Sequence, residues 1–255
     1  MSRTDVEKAK RKNKKKRRKA ALLILLSVVA LALVIGLSVT VFFPVKNIII
    51  LGSTFYDSET VLKASGISEN DNLLLISEEK IFDKIQKELA FVDSIEIKRK
   101  LPDTLKITVN DAKEIFCYKI NEAFYSTDKN GRVLKEYSAC PSGVIYVECT
   151  ATLENKDINK ISLSDPKAVS VINEIGANAY KFSVMPSYID LTDMYGIRMG
   201  IDSRFTVEFG ESVYFKEKLL LLFEMMETKS ENDSGVFRLD MYNPDNPRGS
   251  YFKNN

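Results

Sequence analysis

Hydrophobic and polar residues follow one another in this chain with a period that changes along its length, and each change marks an element. From Ala20 to Phe43 no residue is charged. As a helix this segment reaches about 36 Å, enough to cross a hydrocarbon core of about 30 Å. Ala30-Leu31-Ala32 resembles a signal-peptidase site, but it lies in the middle of a run longer than a signal peptide needs, so the segment reads as a retained transmembrane helix. Beyond Pro44 the periods are those of a folded domain. Val45–Leu51 is β-prone and stops at Gly52-Ser53. Asp57 or Ser58 is placed to cap a short helix through Val61, Leu62 and Ala64, ended by Gly66. Ser77 caps a second helix, with Glu78 and Glu79 in the first turn, where the helix dipole favours acids. Ile81, Ile85 and Leu89 recur at i, i+4 and i+8 and give it one buried stripe. Ser94–Lys100 then alternates, Ile95 and Ile97 against Glu96 and Lys98. After a Leu101-Pro102-Asp103 turn, Leu105, Ile107 and Val109 alternate with Lys106, Thr108 and Asn110. The predicted order is β-α-α-β-β, ending in a hairpin.

The second half is also mixed. Asn130-Gly131, between Phe124-Tyr125 and Val133-Leu134, predicts a type I′ hairpin, which needs positive φ at both central residues. Asp165-Pro166 opens a helix through Val169, Ile172 and Ile175 with a cap and an N1 proline. Ile189–Leu191, Ile197–Met199 and Phe205–Phe209 read as strands, and Lys216–Glu227 as a helix. Gly235–Met241 reads as the last regular strand before a loop holding Pro244 and Pro247. The fold class expected outside the membrane is α+β, with no long linker between the halves.

Charge decides orientation. Residues 1–20 hold eleven Lys and Arg against Asp5 and Glu7, so the tail is expected on the cytoplasmic side and everything after Pro44 outside. The chain has 37 basic and 35 acidic residues, which leaves 26 against 33 beyond the tail, a net of −7. An acidic outer part gives no support for an anionic polymer as partner. The basic run has no interleaved aromatic on which bases could stack, so nucleic acid is not expected; topology and attraction to anionic lipid explain it.

Candidate chemistry is sparse. There is no histidine, and Cys117, Cys140 and Cys149 lack a C-x-x-C spacing, so neither a zinc site nor any other metal or cofactor site is expected. Cys140 and Cys149 could pair; three scattered thiols read more simply as core cysteines. Ser77-Glu78-Glu79-Lys80 matches the S-x-x-K nucleophile motif, but no companion motif follows and Ser77 serves as a cap. Asp190 and Asp193 read as turn residues after a strand. No catalytic residue is expected.

Several stretches, in order, resemble the FtsQ/DivIB family of bacterial cell-division proteins. Val45–Gly52, Gly66-Ile67 with Asn72–Ile76, and Ile95–Val109 are similar to a POTRA domain. Phe124–Leu134 is similar to the hairpin that opens the family's β domain. Phe205–Gly210, Lys216–Leu219 and Gly235–Met241 are similar to its C-terminal strand–helix–strand. Arg238 departs from the acidic residue of that last strand, and Asn110–Lys113 from the usual Glu-Arg-x-Pro ending of the POTRA. The resemblance implies a basic tail over 1–19, a transmembrane helix over 20–43, a POTRA domain over 44–113, an FtsQ-type β domain over 114–242 and a C-terminal segment over 243–255. It implies a non-catalytic, single-pass divisome scaffold at the septum that binds partners of the FtsB/DivIC and FtsL type, with septal peptidoglycan synthases as further candidates. The alternative is another POTRA-bearing envelope protein with a chaperone-like role in assembly or secretion; those usually carry a β-barrel, which the Leu219–Phe223 helix argues against. The resemblance places the partner site at Phe237, Arg238, Leu239, Asp240, Met241 and Tyr242. On a strand, Phe237, Leu239 and Met241 would share one face and Arg238, Asp240 and Tyr242 the other. A partner strand would add at this edge, with Tyr242 as the strongest anchor.

Overall fold

In the computed structural model, residue 19 and residues 22–31, 43–69, 71–154 and 159–254 are described. The basic tail, apart from Lys19, and most of the expected membrane segment lie outside them. Leu22–Leu31 is helical and exposed. Among the described residues, no helix is long and apolar enough to cross a membrane.

The first unit follows the predicted order: β1 (Asn47–Leu51), α1 (Ser58–Ser65), α2 (Glu78–Glu88), β2 (Val92–Lys100) and β3 (Thr104–Asp111). Its sheet has the order β1-β3-β2, with β1 parallel to β3 and β2 antiparallel to it. The caps fall where their chemistry puts them. Asp57 Oδ1 accepts from Thr60 N at 2.7 Å, Ser77 Oγ from Lys80 N at 3.5 Å, and Gly66 ends α1 at φ 61°. Ile81, Ile85 and Leu89 are buried against Ile95, Ile97, Leu105 and Ile107 in one core. Asp111, at the end of β3, accepts from Ser53 Oγ and from both the amide and hydroxyl of Thr54, tying the exit of β1 to the last strand.

Residues 112–115 lead directly into the second unit. Its main sheet uses β4 (Phe116–Ile120), β5 (Ala123–Thr127), β6 (Val133–Tyr137), β7 (Ile145–Glu148), β10 (Pro186–Asp190), β11 (Ile197–Ile201), β12 (Phe205–Gly210), β13 (Gly235–Arg238) and β14 (Ser250–Lys253). A small hairpin of β8 (Ala151–Glu154) and β9 (Lys160–Leu163) stands beside it. The nine strands run β14-β13-β12-β11-β10-β7-β4-β5-β6. Three pairs are parallel, β4–β7, β7–β10 and β12–β13: the β5–β6 hairpin carries the chain from β4 to β7, α3 (Pro166–Asn178) returns it before β10 and α4 (Phe215–Glu227) joins β12 to β13. Parallel neighbours need such crossovers. Both helices join the sheet's core through Val171, Ile172, Ile175, Leu219 and Leu222.

Two local expectations change, the turn at 128–131 and the end of the sheet, and the structure adds detail to α3 and to the cysteines. The stripe of α3 is Ala168, Val171, Ile172 and Ile175, and Val169 faces outward. The 128–131 segment is not a two-residue I′ turn, since only Gly131 has positive φ. Instead Asp128 Oδ1 accepts from the amides of Asn130 and Arg132, and Gly131 N donates to Asp128 O. All three cysteines are free thiols. The neighbouring Cys140 and burial together hold the Cys117 thiol above the ordinary range. Finally, the last strand of the sheet is β14, and β13 stops at Arg238.

Candidate partner-binding edge

The expected site residues do not form one strand. Phe237 and Leu239 are buried. Phe237 lies 5.3 Å from the ring of Phe205 and 5.0 Å from that of Tyr251, so it belongs to the core. Leu239 N continues the parallel ladder by donating to Glu208 O at 2.8 Å. The chain then turns, with Tyr242 N donating to Leu239 O. Met241 is left 88% exposed, and the ring of Tyr242 lies 6.0 Å from that of Tyr214. Arg238 donates to Glu208 Oε2 at 2.8 Å and lies 5.0 Å over the ring of Phe252. Where the resemblance led us to expect an acid, a base completes an ion pair with the neighbouring strand.

β14 covers the side of β13 that was expected to be open. Its register is Gly235 opposite Lys253 and Arg238 opposite Ser250. Three contacts hold it. Tyr251 Oη donates to Ser234 O at 2.9 Å, Lys229 Nζ sits 3.9 Å over the Tyr251 ring, and Lys253 Nζ bonds Asp233 at 2.7 Å. The Lys253 ammonium and the amide and hydroxyl of Ser230 together hold Asp233 below the usual carboxylate range. Asn254 N donates inward to Ser234 O. By the alternation of an antiparallel ladder, the main-chain groups of Tyr251 and Lys253 therefore point away from β13. At the other end of the sheet, β6 is partly closed: Val133 N donates to Asn159 O and Arg132 is bridged to Lys160. Among the described residues β14 is an open edge of the sheet, and Phe252 on it and Met241 in the preceding turn are exposed. A chain of four residues after a proline-containing loop has too little periodicity to announce itself, which is why this strand escapes a reading of the sequence.

The residues of acid–base interest have structural partners. Ser77 is a cap, Asp190 accepts from the amide and hydroxyl of Thr192, and Asp193 from Tyr195 N. Among the described residues, no group of His, Cys, Asp or Glu is arranged to hold a metal ion.

The sequence model of the POTRA domain, FtsQ-type, matches residues 43–111. The cell division protein DivIB of Clostridium acetobutylicum is 25% identical over 154 residues, 60% of this chain and 59% of its own length. DivIB of Clostridium botulinum strain Hall is 23% identical over 181 residues, 70% of each chain, and cell division protein FtsQ of Corynebacterium glutamicum is 24% identical over 207 residues, 80% of this chain and 89% of its own. These matches support the FtsQ/DivIB family for this chain. The match thus spans somewhat less than two thirds of the first of these relatives. The FtsQ-type POTRA domain is the first unit described above, and the β-rich unit after it carries the open edge.

Proposed function

We propose that this FtsQ/DivIB chain is a non-catalytic scaffold of the division septum, anchored by residues 20–43 with its basic tail inside, that captures the extracytoplasmic segments of small membrane partners of the FtsB/DivIC and FtsL type. Partner capture would operate by strand addition. The observation that carries this reading is the open β14 edge, whose outward main-chain groups at Tyr251 and Lys253 are available as a template. Main-chain bonds supply affinity, while Phe252, Met241 and half-buried Tyr242 supply side-chain selectivity. The stretch Phe237–Tyr242 then contributes through its exposed end, and Phe237 and Leu239 support it from the core. Stabilising the septal synthesis complex would follow from that capture.

The test is co-purification of the partners with two variants at one position. Lys253→Pro removes the outward N–H and should abolish capture. Lys253→Ala keeps it and should retain capture, since an ion pair exposed to solvent contributes little. Equal capture by both would remove strand addition at β14. A fluorescent N-terminal fusion of the parent should gather at midcell, and uniform envelope fluorescence would reject the septal role.

A further inference from the structure

The POTRA unit exposes three leucines at one pole: Leu74, Leu75 and Leu101 are 41%, 70% and 61% accessible. They come from two segments that hydrogen bonds bring together with the start of the domain. Leu73 N donates to Phe43 O and Val45 N to Asp71 O, each at 2.8 Å, and Pro44 is bridged to Asn72. Lys46 N and Asn47 N donate to Asp103 O at 2.9 and 3.2 Å. The Arg99 guanidinium donates to Leu73 O at 3.0 Å and Ile76 O at 2.6 Å, fastening the 73–76 loop to the end of β2. The pole is thus built around Phe43, the last residue of the apolar segment. β3 runs from this pole at Thr104 to Asp111, where the chain departs for the second unit, so the leucines lie on the side of the POTRA away from it.

We infer that this pole is seated on the bilayer, with Leu74, Leu75 and Leu101 in the boundary between head groups and acyl chains. The inference rests on the proposed anchor. What names lipid as the occupant is continuity: Leu74 and Leu75 follow Leu73, whose amide bonds Phe43 O at the end of the apolar segment, and the turn of Leu101 is tied through Asp103 O to Lys46 and Asn47 just beyond it. Exposed Lys46 and Lys100 stand at the same pole, where amphipathic side chains lay their stems on apolar surface and carry their charge to lipid phosphates. Asp71 and Asp103 are also there, and their backbone carbonyls are engaged in the bonds above, so the attraction is chiefly apolar. The seat would orient the POTRA unit on the membrane and hold the β14 edge at a set height above it.

The chain contains no tryptophan, so an introduced one reports alone. The full chain carrying Leu75→Trp is reconstituted in phosphatidylcholine–phosphatidylglycerol vesicles with brominated acyl chains, beside Phe252→Trp on the β14 edge. Leu75→Trp should emit to the blue and be quenched by bromine several-fold more than Phe252→Trp. Leu101→Trp, on a separate turn, should behave alike and guards against misfolding of either variant. Equal weak quenching at all three positions, with the chain floating with the vesicles, would overturn the seat alone. Failure of the parent chain to float would overturn anchor and seat together. Blue-shifted emission that bromine does not quench and that grows with protein density would assign the leucines to a second copy instead, and would also overturn the seat.

Discussion

A buried lysine is tolerated only where its ammonium finds partners. Lys218 is 3% exposed, and its Nζ donates to Phe209 O at 2.9 Å and Glu211 O at 2.8 Å. Desolvation pulls its pKa below the ordinary 10.5, with Glu211 and Asp240 opposing. The folded state therefore loses this proton more readily than the unfolded chain. Between the lowered value and 10.5 the unfolded chain binds more protons, so stability contributed here rises with pH across that interval. Lys218→Met leaves two carbonyls unpartnered and should cost about 1–3 kcal/mol. In urea titrations the gap between parent and variant should widen as pH rises through the interval; a constant gap would contradict the assignment. In the POTRA core, Ile85 is fully buried, and Ile85→Ala should cost about 2–5 kcal/mol, whereas an effect under about half a kcal/mol would remove α2 from the core. The periodicity of α2 makes Ile85 legible in the sequence. Val169 was less so, because α3 has apolar residues at enough positions that spacing alone does not select the buried ones.

Elements with a capping residue and several turns were readable: Ser77 and Asp165 mark the starts of α2 and α3, and the paired alternation of β2 and β3 names their faces. Elements made by tertiary pairing were not. β14 exists because Gly235 lets it approach. A Cβ at Gly235 would stand 2.1 Å from the carbonyl oxygen of Phe252, a backbone atom that cannot swing aside. Gly235→Ala should therefore push β14 outward at a cost of about 1–3 kcal/mol. Amide exchange should quicken at Val236 and Phe252 while the POTRA amides keep their protection; unchanged exchange at Phe252 would mean β14 is held by its side chains alone. The same pairing explains the displaced edge. Phe237 alternates with Arg238 as a strand residue should, but nothing in Gly235–Met241 by itself says that Ser250–Lys253 returns to cover it.

At the scale of the whole molecule, a three-stranded POTRA sheet stands between the apolar segment and a nine-stranded open sheet whose uncovered edge is its last strand. The charge asymmetry of residues 1–20 against the rest predicts that protease added to wall-stripped cells digests residues beyond Pro44 and spares an N-terminal tag; digestion of the tag would invert the topology. The POTRA core and the mixed α and β content of the second unit were legible in the sequence, because each rests on patterns repeated over many residues. The strand expected to end the sheet, Gly235–Met241, stops at Arg238 and is followed by β14. The measurement that tests strand addition most directly is amide hydrogen exchange of this protein with and without an FtsB/DivIC-type partner segment. The account predicts new protection at Tyr251 and Lys253, whose amides face outward, with little change at Phe252, already bonded to β13. Unchanged exchange across 250–253, with protection gained elsewhere in a stable complex, would contradict it.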